Sequence, residues 1–109
     1  MKMNDEELLR CAAKAAGFVE PHSYRPQSNS LLWLGKESGA ATWRPFDDDA
    51  EAFRLAVQLK LLIQTDLDGD PQVSTNDYDV CEWYPSGSDR YAATRRAIVM
   101  AAAEIGKNI

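Results

Sequence analysis

A chain of 109 residues provides for one ordinary core and not two, so residues 1–109 are read as a single domain. Apolar types make up 45% of it, with three Trp, four Tyr and three Phe to bury, which excludes a disordered chain; no apolar run approaches the roughly 18 residues of a membrane-spanning helix. A net charge of −5 argues against a general grip on nucleic acid, because neutralising phosphates requires a cationic face.

A first helix is expected over Asp5–Ala16: Asn4 can accept from a first-turn amide, Glu7 completes a capping box, and Gly17 suits a left-handed stop. Between Phe18 and Pro45, Pro and Gly punctuate the chain; Glu20–Ser30 reads as a loop, and Leu31–Leu34 and Ala41–Trp43 as short strands. A second helix starts near Asp47–Asp49 and runs to about Leu62, with so narrow a polar stripe (Glu51, Arg54, Gln58) that burial on more than one side is expected. Ile63–Leu67, Gln72–Ser74 and Tyr78–Tyr84 follow as antiparallel strands, since their connections are too short for a parallel crossover. A third helix is capped by Ser86 or Ser88, carries Tyr91, Thr94, Ile98, Ala101 and Ile105 on its apolar side, and is stopped by Gly106. The expected class is α+β, a small antiparallel sheet of three to four strands packed with three helices in an alpha/beta/alpha sandwich-like arrangement.

Charge is concentrated in the middle, where residues 47–89 hold eleven acids against Arg54 and Lys60, a local −9. Within that stretch Asp66, Asp68, Asp70 and Asp77 imitate part of the spacing of a calcium loop, but Pro71 stands where the turn wants Gly and Asp77 where a longer Glu closes the shell. The competing reading is a solvated acidic hairpin turn. His22 is the one histidine, and nothing in the spacing marks an orienting partner for it or for either cysteine, so no catalytic residue and no cofactor site is assigned. Cys11 and Cys81 lie seventy positions apart in no metal-ligand pattern and are expected to be free thiols. With Met1–Glu7 lacking the apolar core of a signal peptide, the expected location is the cytoplasm. Trp83 and Tyr84, next to a Pro85–Ser86–Gly87 loop, are the expected interaction residues, and Arg90, Arg95 and Arg96 form a candidate cationic spot facing the acidic middle, with pairing inside the chain as the plainer reading.

Two stretches, Trp43–Ala56 (WRPFDDDAEAFRLA) and Arg90–Val99 (RYAATRRAIV) closing on Ala103–Gly106, resemble the small phage and prophage proteins of the phage ABA sandwich domain family. Arg44 stands where members commonly have Asn. The resemblance covers about half the chain and implies a sheet between helices, a bacteriophage or prophage origin and a host-cell cytoplasmic setting; it brings no settled activity and no catalytic residues to carry over. The expected function is a non-enzymatic accessory protein that binds a protein of host or phage as a monomer or homodimer, without direct nucleic-acid or membrane binding. The alternatives are an acidic nucleic-acid mimic that inhibits a host DNA-binding enzyme, and a weak metal-binding module.

Overall fold

The computed structural model describes residues 3–18, 22–36, 39–65, 69–76, 79–85, 87 and 89–109, with the backbone alone at residues 22, 33–36 and 39–41. Helix α1 spans Asp5–Ala15 and begins as its sequence dictates: Asn4 Oδ1 accepts from the Glu7 amide, and Glu7 Oε1 accepts from the Asn4 amide. It ends with Gly17 in the left-handed region at φ 83°, which lets the Gly17 and Phe18 amides return to the Lys14 and Ala13 carbonyls.

Strands β1 (His22–Arg25), β2 (Ser30–Lys36) and β3 (Gly39–Trp43) form an antiparallel sheet in that order, so part of the expected Glu20–Ser30 loop is a strand. The physical reason lies in two residues. Tyr24 pairs with Leu31 and its hydroxyl donates to Asn29 Oδ1 at 2.6 Å, while Asn29 takes φ 49° and closes the four-residue turn 26–29. As an outer strand β1 tolerates the polar composition that reads as loop. Leu31 in turn pairs with Trp43, and both are buried in the main core.

Helix α2 covers Asp49–Gln58, capped by Asp48, whose Oδ1 accepts from the amides of Ala50 and Glu51. It stops four residues before the expected Leu62, through the same pair of returning amides as α1 but with Lys60, φ 57°, in the left-handed place usually held by Gly. Its buried side is Ala52, Leu55 and Ala56; Phe53 and Val57 are 65% and 59% exposed, so burial on more than one side does not hold. A second antiparallel sheet, in the order β4 (Leu62–Gln64), β5 (Gln72–Ser74) and β6 (Cys81–Trp83), sets Ile63, Val73 and Glu82 side by side.

Helix α3, Arg90–Lys107, is capped by Asp89, which accepts from the Ala92 amide, so the capping role falls to neither Ser86 nor Ser88. Its buried residues, among them Ala97, Val99, Ala101, Ala102 and Ala103, surround much of the helix, and Tyr91 at 76% exposure falls outside the expected apolar stripe. It packs most extensively on α1, then on α2, β5 and β6, while β2 packs on α1. Gly106 lies inside α3 and does not stop it; a Cβ there would sit 1.8 Å from the Cys11 carbonyl oxygen of α1, so glycine is required by close approach of the two helices. The whole is α+β with three helices, its six described strands divided between two three-stranded sheets and its core a single cluster that includes Leu9, Leu31, Val73 and Val99. Each such large aliphatic side chain stabilises the fold by about 1.5–3 kcal/mol through burial.

Candidate functional site

The exposed face of α2 leads directly to a cleft. Where α2, β4 and α3 meet, a space of about 410 Å³ is lined by Ala52 and Phe53 from α2, Ile63 from β4, and Tyr91, Thr94 and Ile98 from α3. Phe53 and Tyr91 are large, apolar and mostly in solvent, whereas Ile98 is buried and forms part of the floor. Val57, one turn after Phe53 on α2, extends the apolar surface beyond the cleft. Large exposed apolar side chains around a preformed concavity are the usual mark of a recognition surface.

Charged groups fix the edges of this cleft. Arg95 donates from Nη1 to Asp49 Oδ1 at 2.6 Å and from Nε to the Phe46 carbonyl at 2.7 Å, which clamps the start of α2 to α3. Its side chain is only 16% exposed, whereas that of Asp49 is 73% exposed. Across the cleft Arg90 Nη2 donates to the carbonyls of Thr65 and Gly69, fastening α3 to the end of β4. The third arginine, Arg96, donates to Asp5 and lies over the rings of Phe46 and Tyr84, at 4.9 Å and 5.0 Å from their centroids. All three arginines therefore bond within the chain: Arg95 reaches Asp49 of the acidic middle, whereas Arg96 reaches Asp5 of α1 and Arg90 reaches backbone carbonyls.

Of the two expected interaction residues, Trp83 is 55% exposed and Tyr84 less so. Strand alternation separates them: Trp83 pairs with Gln72, on the sheet face opposite Ile63, Val73 and Glu82, and Tyr84 stacks under Arg96. The structure thus places Trp83 and the Phe53–Tyr91 cleft on different surfaces. Asp66, Asp68 and Asp77 of the calcium-like spacing lie outside the described residues, and the half-buried Asp70 stands between two antiparallel strands in a setting unlike a helix–loop–helix. Among the described residues no group of three or more potential metal ligands converges. The His22 side chain is also outside the described set. Cys11 and Cys81 are free thiols, and Cys81 Sγ accepts from the side-chain Nε2 of Gln72 at 2.7 Å. No helix among the described residues is long and apolar enough to cross a membrane.

Among the described residues Asp5, Glu51 and Glu82 are displaced from the ordinary carboxylate range. The hydrogen bond from Arg96 holds Asp5 below its usual 3.8, against a smaller opposing effect of burial. Burial, then the Asp48 charge, raises Glu51, and burial, then the Glu104 charge, raises Glu82. For Glu82 the sign is such that the folded chain binds its proton more readily than the unfolded chain. Its stabilising contribution is present below pH 4.5 and is lost as the pH rises through the raised value. Glu82→Gln is accordingly expected to be more stable than the parent at pH 7, with the advantage shrinking on acidification; denaturant melts at both ends of this window check it. Compared with protein-family models, curated proteins and solved structures, the chain matches none.

Proposed function

We propose that this chain is a non-enzymatic protein-interaction domain whose binding surface is the cleft between α2, β4 and α3. The observation that carries the reading is the exposure of Phe53 and Tyr91, 65% and 76%, on either side of a concavity with an apolar floor. A monomer that served only to fold would gain by covering or replacing them, since each aromatic ring leaves on the order of 100 Å² of apolar surface in water. The likeness of Trp43–Ala56 and Arg90–Val99 to the phage ABA sandwich proteins supports a phage or prophage accessory role acting on a host or phage protein.

The paired substitution of Phe53 and Tyr91 by Ala tests it, because neither ring belongs to the main core and stability is expected to change by no more than about 0.5 kcal/mol. Cross-linked capture from host and infected-cell lysates should recover a partner with the parent chain and lose it with the double variant. Retention of that partner, with its loss in Trp83→Ala, would move the binding surface to the outer face of the second sheet.

A further inference from the structure

We draw no further inference here: the strongest candidate, the apolar cleft where α2, β4 and α3 meet, belongs to the site already described, and nothing in the structure shows what covers it.

Discussion

Gly106→Ala is expected to cost about 4 kcal/mol or more and to lower the melting temperature by roughly 15–20 °C, a large share of the stability of a domain this size. The sign is what makes it informative. In a helix, Ala is ordinarily favoured over Gly by about 1 kcal/mol, so a glycine with open space around it would give a more stable variant. At this site the added methyl meets the Cys11 carbonyl oxygen at 1.8 Å and its carbon at 2.7 Å. Both belong to backbone, which cannot rotate aside, so α1 and α3 must separate, two helices whose buried residues include Ala12, Ala13, Ala102 and Ala103. Side chains that small make favourable contacts only when the helices touch, and a gap of 1 Å forfeits a quarter to a half of each contact's attraction. Thermal melts by circular dichroism decide it; a variant as stable as the parent would show that the helices do not approach so closely.

Arg96→Ala is expected to destabilise by about 2–3 kcal/mol, from loss of a charge-assisted bond to Asp5 and two ring contacts that are each of order 0.5–1 kcal/mol. Asp5 would also lose its strongest partner, keeping only the bond from Asn29 Nδ2. Arg96→Lys should recover part of the loss, because an ammonium retains the charge but not the planar group that lies between Phe46 and Tyr84. A pH series separates the ion pair from the packing. The depressed Asp5 contributes stability that is present above 3.8 and lost as pH falls through its folded value, so the gap between parent and Arg96→Ala should narrow in acid. If the gap were constant with pH, the ring contacts alone would account for it.

The starts of α1 and α2 were legible because caps are local: Asn4 with Glu7, and Asp48, are readable within four residues, whereas the cap of α3 is Asp89 and not a neighbouring serine. Where two physical demands share one residue type the sequence misleads. Gly106 resembles a helix stop, yet its neighbour is Cys11, far away along the chain, and no local pattern reveals that. Lys60 shows the converse, a left-handed stop without glycine. The first strand was hidden because its pairing partner, Leu31, supplies the apolar side that its own sequence lacks. The cleft was hidden for a related reason. Phe53 and Val57 look like core in the one-dimensional pattern of α2, and only the position of α3 decides that they are left outside it. Trp83 is exposed, whereas Tyr84 beside it serves Arg96.

The pairing of α1 with α3 has a consequence for how the chain is made. Asp5 and Arg96 are 91 positions apart, and α3 is the surface on which α1, α2, β5 and β6 all pack. During synthesis α1 leaves the ribosome well before α3, so the helix on which it packs most extensively is the last of the described elements to reach it. Contacts of such long sequence separation also require a large loop closure before any of them forms. Until α3 is available, α1, with Leu8 and Leu9 on its buried side, lacks the element on which it packs most extensively.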